Sequence, residues 1–378
     1  YPSTWQTVAK TTYDDSGGTA GLGRRLTVTD TAGNTTATAY TPTDSGPLTR
    51  TKVTNAKSQT TYTYTDYASG LPTKVYDVNN KITETSYDAL GRKTATWLSN
   101  RSHSGNQTPN YTYAYSVTND ALSWESTSTL KADGTTYNTT YSIFDSLLRP
   151  LQTQSPTPSG GRLLTDTRYD SRGLAYETYA DVYDSAHLPS GAYARAASGG
   201  APKQTDTVFD GAGRATSSSL YVYGVKKWTT STSYTGDSTA TTALNGGSAT
   251  RTITDIFGYT VEKRAYAGTD PADAAYGTGP GATYTSTKYK NTLDGKPSTV
   301  TGPDSAQWSY VYDLFGRQTS ATDPDLGTTA TTYTALDQTD TTTDNRGTQL
   351  LYGYDVLGRK TDQWQTAKTD ANKLAHWD

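Results

Sequence analysis

The sequence predicts an all-β fold, a repetitive array of β-hairpins running the length of the chain. Three observations predict it: a composition skewed to Tyr and Thr, a turn unit that recurs, and aromatic residues alternating with small or β-branched ones. Of 378 residues only 33% are apolar, yet 31 are Tyr, and roughly a fifth of all positions are Thr, far from average usage. Val, Ile and Leu are too sparse for an aliphatic core, so burial is expected to fall to Tyr, with its apolar ring and polar tip. Disorder would bring high net charge and few aromatics. Here the formal net charge is −3 and aromatics reach 11%.

The turn unit has four intact copies: Tyr87-Asp88-Ala89-Leu90-Gly91-Arg92, Phe209-Asp210-Gly211-Ala212-Gly213-Arg214, Tyr312-Asp313-Leu314-Phe315-Gly316-Arg317 and Tyr354-Asp355-Val356-Leu357-Gly358-Arg359. Degenerate copies lie between them at Phe144–Arg149, Tyr169–Leu174 and Thr254–Tyr259, with relics at Thr29–Asn34 and Tyr76–Lys81. Leu148 stands where the motif Gly is missing, and is therefore expected to tolerate substitution. Spacings fall loosely near multiples of about twenty residues, as a short unit with decayed or interrupted copies would give.

Each unit reads as strand, tight turn, strand. Tyr62-Thr63-Tyr64, Tyr111-Thr112-Tyr113-Ala114-Tyr115, Tyr221-Val222-Tyr223 and Tyr310-Val311-Tyr312 put Tyr on one face and Thr, Val or Ala on the other, the period of a strand. At the bend, Asp offers its carboxylate to backbone N–H groups and Gly supplies a positive φ. The Arg opens the return strand, within reach of a nearby Asp. Helix signals are nearly absent, since Thr and Gly interrupt almost every window. Stretches 100–110, 154–161, 185–204 and 267–282 are rich in Ser, Gly, Pro or Ala and read as loop-like insertions. None is long enough for a second domain, so residues 1–378 read as one segment.

The Tyr-Asp-x-x-Gly-Arg unit in a Tyr- and Thr-rich hairpin array resembles the YD repeats of the RHS family. That family includes bacterial polymorphic toxins, the cocoon subunits of Tc toxin complexes and the animal teneurins. The resemblance runs from about Tyr62 to Trp364. It implies a β-sheet that spirals into a hollow YD-shell, of which this chain is an incomplete portion. It also implies a polypeptide cargo inside, a secreted or cell-surface bacterial protein, and a role in interbacterial competition. The implied partners are the remaining shell and a C-terminal toxin of the same longer chain.

The sequence excludes several chemistries. There is no Cys, hence no disulfide, thiolate nucleophile or zinc–thiolate site. No basic cluster exceeds Lys226-Lys227, so the electrostatic footprint of a nucleic-acid binder is missing. No apolar run approaches the ~20 residues of a membrane-spanning helix. Met is absent and the chain opens at Tyr1-Pro2, which reads as an internal piece of something longer. His103, His187 and His376 stand far apart and make no metal-ligand spacing. Glu is confined to Glu84, Glu125, Glu177 and Glu262, while the recurrent Asp already has a turn role. Neither a cofactor nor a metal site is expected. The sequons at Asn34, Asn100, Asn106, Asn110 and Asn138 are about as many as chance supplies at this Ser and Thr content.

Two features invite a functional reading. The resemblance ties an Asp-Pro-x-Gly-Leu segment to self-cleavage, but Asp323-Pro324-Asp325-Leu326-Gly327 reverses the last two residues and precedes an intact repeat, so it reads as a repeat linker. Trp97 and Trp364 each lie ten residues after a motif Tyr. They are candidate sugar platforms, weighed against one packing slot used twice. The leading expectation is a non-catalytic shell segment that encloses a toxin. The alternatives are an extracellular module binding glycans or a partner surface, and a carbohydrate-active enzyme on a β-solenoid.

Overall fold

The structure is a computed structural model that describes residues 7–14, 21–44, 46–271 and 283–378. Most of the predicted insertion at 267–282 lies outside the described residues. The described residues form a 29-stranded antiparallel sheet, with a single 3-10 turn at Asp370–Asn372. No helix among them is long and apolar enough to cross a membrane. The all-β expectation therefore holds across the described residues.

Two compact units divide it, one of residues 1–112 with 311–378 and the other of 113–310. In the first, an N-terminal meander and a C-terminal one meet through their turns. Lys57 Nζ lies 2.7 Å from Asp355 Oδ2, and Thr31 Oγ1 donates to the Ala335 carbonyl at 3.2 Å. In the second unit the longest strands, such as Arg162–Tyr169 and Ala175–Asp184, carry a loop over one face.

Thr abundance has a visible cause. Threonine hydroxyls pair directly across neighbouring strands, as in Thr12–Thr27 at 2.6 Å, Thr29–Thr35 at 2.8 Å, Thr54–Thr60 at 3.1 Å and Thr332–Thr341 at 2.8 Å. Such ladders stabilise adjacent strands without a second layer to pack against.

Burial departs from the expectation that Tyr would fill the interior. Among the described residues only Tyr179 and Tyr266 are fully buried Tyr, and buried polar side chains such as Gln152, Gln154, Arg162, Asp166 and Gln204 stand beside a few apolar ones. The physical reason is the single-sheet architecture. With no second sheet among the described residues, most Tyr rings stay half-buried and cover Arg side chains and backbone instead.

Candidate functional site

The motif turns are built alike. In the first, Asp88 N donates to the Arg92 carbonyl at 2.9 Å and Gly91 N to the Asp88 carbonyl at 3.0 Å. Asp88 Oδ1 accepts from the N–H groups of Leu90 and Arg92, both at 2.9 Å, and Oδ2 accepts from Arg92 Nε at 2.7 Å. One carboxylate thus satisfies the bend and pins the Arg. Asp210 with Arg214, Asp313 with Arg317 and Asp355 with Arg359 repeat this set. The fourth residue turns left-handed, with φ 78 at Gly91, 79 at Gly213, 78 at Gly316 and 80 at Gly358. The Arg92 backbone N–H, aided by its guanidinium, holds the Asp88 carboxyl below its ordinary range, and Arg214 does the same for Asp210. At Asp355 the first cause of lowering is Lys57.

The same pair of backbone bonds closes the degenerate and relic copies, and also turns in which the motif is unrecognisable. They begin at Asp30, Asn55, Asp77, Asp145, Asp170, Asp255, Thr292, Gly302, Thr334 and Asp344. The left-handed position is filled there by Gly or by Ser58, Asn80, Leu148, Ser305 and Asp337. Thr292, Asp313, Thr334 and Asp355 start at equal intervals, so the repeat is regular beneath an irregular sequence.

The motif Tyr serves the preceding repeat. Tyr87 OH donates to the Pro72 carbonyl at 2.8 Å, Tyr169 to Pro150 at 2.8 Å and Tyr354 to Thr339 at 2.8 Å. Tyr234 and Tyr333 do the same to Ala215 and Gln318. Their rings also carry the Arg of that earlier turn: Arg149 lies 4.5 Å from the Tyr169 centroid, Arg214 4.4 Å from Tyr234 and Arg317 4.8 Å from Tyr333. These three turns are therefore capped by the next repeat's aromatic ring. Phe209 and Tyr312 end their strands in the equivalent place, before Asp210 and Asp313.

Both candidate platforms are engaged in packing. Trp97 is 8% exposed, donates Nε1 to the Gln107 carbonyl at 2.8 Å and lies 4.2 Å from the His103 ring. Trp364 covers Gly353, with Lys373 and Lys368 at 5.6 and 5.9 Å from its ring. Asp323 caps a tight turn through bonds from Asp325 N at 2.8 Å and Leu326 N at 2.9 Å. The remaining His residues sit beside carboxylates, His187 on Asp184 and His376 on Asp362. Among the described residues no group of three His, Cys, Asp or Glu could hold a metal ion. A cavity of about 580 Å³ between the Asp66 and Asp88 turns is lined by Leu71, Tyr87 and the Lys74–Glu84 ion pair, and its Ser69 hydroxyl donates to Asp66 Oδ2 at 2.8 Å as part of the turn.

The polar face of the second unit is absent from the sequence reading. Register aligns Gln152, Asp166, Tyr179 and Gln204 across four strands, and all four are buried. Arg168 joins Glu177, and bonds Tyr179 OH at 3.1 Å. Gln204 Nε2 donates to Glu177 Oε1 at 3.2 Å. Burial pushes the Asp166 carboxyl up, against bonds from Ala196 N and Tyr193 OH. Tyr193 is in turn pushed up to about 12, by burial first and then by Asp166.

Residues 293–328 match the family model RHS Repeat. No curated protein matches. Among solved structures, the TcdB2-TccC3 crystal structure superposes on 97% of this chain at 15% identity and TM-score 0.74, using 21% of its own chain. The same assembly without its hypervariable C-terminal region gives 14% identity, 97% and 23% coverage and TM-score 0.73. The Photorhabdus luminescens Tc holotoxin pore gives 13% identity, 99% and 23% coverage and TM-score 0.72. At such identities the likeness establishes the fold, and the chain spans about a fifth of the first of these chains.

Proposed function

We propose that this chain, which carries RHS-repeat sequence in a sheet of the Tc-toxin fold, is a wall segment of a hollow β-shell that encloses a toxin polypeptide within a larger secreted protein. On this reading it has no catalysis of its own, and its partners are the rest of the shell and the cargo. The observation that carries the reading is the repetition of its polar chemistry. The Asp and Arg that recur most are consumed in turn after turn, whereas an active site gathers a unique acid, base or nucleophile in one pocket. The fold likeness to TcdB2-TccC3 supports it, and so does pairing of each strand with its neighbours, which hides strand edges from aggregation.

Limited proteolysis of the complete natural polypeptide tests the proposal. Its non-repetitive portion should be cut far more slowly there than when expressed alone. Equal cutting rates would remove enclosure. Hydrolysis of a polysaccharide by the purified chain, lost on Asp→Asn changes in one cleft, would restore the enzyme reading.

A further inference from the structure

Residues 190–196 belong to no strand, yet they cross the buried polar face of the second unit in a regular manner. Ser190 N donates to Gln154 Oε1 at 2.9 Å and the Ala192 carbonyl accepts from Gln154 Nε2 at 2.8 Å. Ala194 gives its N–H to Gln152 Oε1 at 3.1 Å and accepts Gln152 Nε2 on its carbonyl at 2.6 Å. Ala196 gives its N–H to Asp166 Oδ2 at 3.0 Å and accepts Arg168 Nη2 at 2.5 Å. The contacts fall on every second residue, the period of an extended chain. They are made by side chains where a neighbouring strand would use its backbone.

We infer that this face is a binding track for an extended polypeptide, read through its main chain, and that Ser190–Ala196 is an occupant supplied in cis. The track consists of Gln152, Gln154, Asp166 and Arg168, the first three essentially buried. Each Gln amide both donates and accepts, which matches a peptide unit in either role. Arg162 holds the Gln154 carbonyl oxygen at 2.8 Å, and Gln154 Nε2 holds Gln152 Oε1 at 2.7 Å. The readers are thus fixed before any peptide arrives, which lowers the cost of binding. Main-chain recognition sets little demand on sequence, but close approach demands small residues. The occupant supplies Gly191, Ala192, Ala194 and Ala196 there. A Cβ on Gly191 would fall 2.3 Å from Trp124 Nε1. The fitting partner is an extended segment rich in Gly and Ala, with one side-chain anchor of the kind the Tyr193 hydroxyl makes on Asp166 at 3.0 Å. This inference stands independently of enclosure.

Gly191→Val in the full chain tests it, because the clash lifts the occupant and leaves every track residue intact. The probes are a fluorescent peptide with the sequence of residues 187–198 and an Ala/Gly peptide of equal length that keeps a single Tyr at the place of Tyr193. Both should bind the variant at least about tenfold more tightly than the parent, a change of roughly 1.4 kcal/mol. Adding Gln152→Leu and Gln154→Leu should abolish the gain. A folded Gly191→Val chain that binds neither peptide, or binds regardless of the Gln changes, overturns the inference, as does binding of the native sequence alone. Should the variant fail to fold, hydrogen exchange on the parent decides. Excess peptide should speed exchange at the Ser190, Ala194 and Ala196 amides, and unchanged rates at saturating peptide overturn it.

Discussion

Gly91 and Leu148 occupy the same backbone position in two turns, at φ 78 and φ 58. A Cβ at Gly91 would also meet Leu71 Cδ1 at 3.2 Å, and one at Gly358 would meet Gln338 Nε2 at 3.2 Å. Gly91→Val and Gly358→Val should each destabilise by about 1–3 kcal/mol, the scale of a β-branched residue in a left-handed conformation. Denaturant melts of both variants measure this, and neutrality at both would refute the turn geometry. Leu148 corrects the tolerance expected from its sequence. The backbone there still demands a left-handed residue, and Leu meets the demand under strain. Relief of about 1–2 kcal/mol exceeds the roughly 0.5–1 kcal/mol of extra unfolded-chain freedom that Gly brings. Because Leu148 is 65% exposed, little packing is lost, and Leu148→Gly should raise the melting midpoint while Leu148→Val lowers it.

Between elements, the interlock of Arg and the following Tyr makes its own prediction. Arg149 is tied to Asp145 at 2.6 Å, lies over the Tyr169 ring, and has the Tyr169 hydroxyl bonded to the carbonyl of Pro150, the next residue. Tyr169→Phe should cost about 0.5–1.5 kcal/mol for the lost bond. A double-mutant cycle of Arg149→Ala with Tyr169→Leu should show coupling of about 0.5–1 kcal/mol. Additive effects would mean that the ring covers the Arg without stabilising it. Within one unit, this chemistry was legible in the sequence: Asp caps, Gly turns, Arg pairs. Its reach into the preceding repeat was not, because a period-two strand says which face a Tyr takes and nothing about which turn it meets. The turns at Asn55, Gly302 and Thr334 were hidden for another reason. Asn55 Oδ1 and Thr334 Oγ1 take the place of the motif carboxylate, the Gly302 turn keeps the backbone bonds, and a left-handed Ser or Asp stands for Gly, so the motif can erode while the turn survives. The polar track escaped notice because Arg162, Asp166 and Arg168 occupy inward positions of their strand, where periodicity leads one to look for apolar residues.

Over the whole molecule, charges in the turns set the response to acid. Folded pKa values are depressed at Asp88, Asp210, Asp313 and Asp344. Groups of this kind stabilise the fold above their unfolded value near ~3.9 and cease to do so as pH falls through the folded one. Asp166 acts oppositely, since its raised value means that acid relieves a penalty. One buried carboxyl is outnumbered by the turns, so melting temperature should drop as pH is lowered from about 5 toward 2, followed by circular dichroism. A flat profile would mean that the caps contribute nothing.

Closure of the first unit rests on the most heavily used of these carboxylates. Asp355 caps its own turn, pairs with Arg359, and receives Lys57 from the opposite meander. Near it, Val356 and Leu357 are 44% and 38% exposed, while Leu314 and Phe315 at the equivalent tip are 97% and 75% exposed. The partly covered tip faces Val28, Thr36 and Ala56 across a cavity of about 370 Å³. An incompletely packed seam should depend on its charge pair more than a dry core would. With no Cys in the chain, a Thr31→Cys, Ala335→Cys pair reports the seam without competing thiols. It should oxidise to a disulfide in the otherwise native chain. Adding Lys57→Glu places two acids together, and should slow that oxidation, most at low salt where screening is weakest. A pair that never oxidises in the parent background would show that the two meanders do not meet there. Oxidation indifferent to Lys57→Glu would assign the seam to its apolar contacts instead.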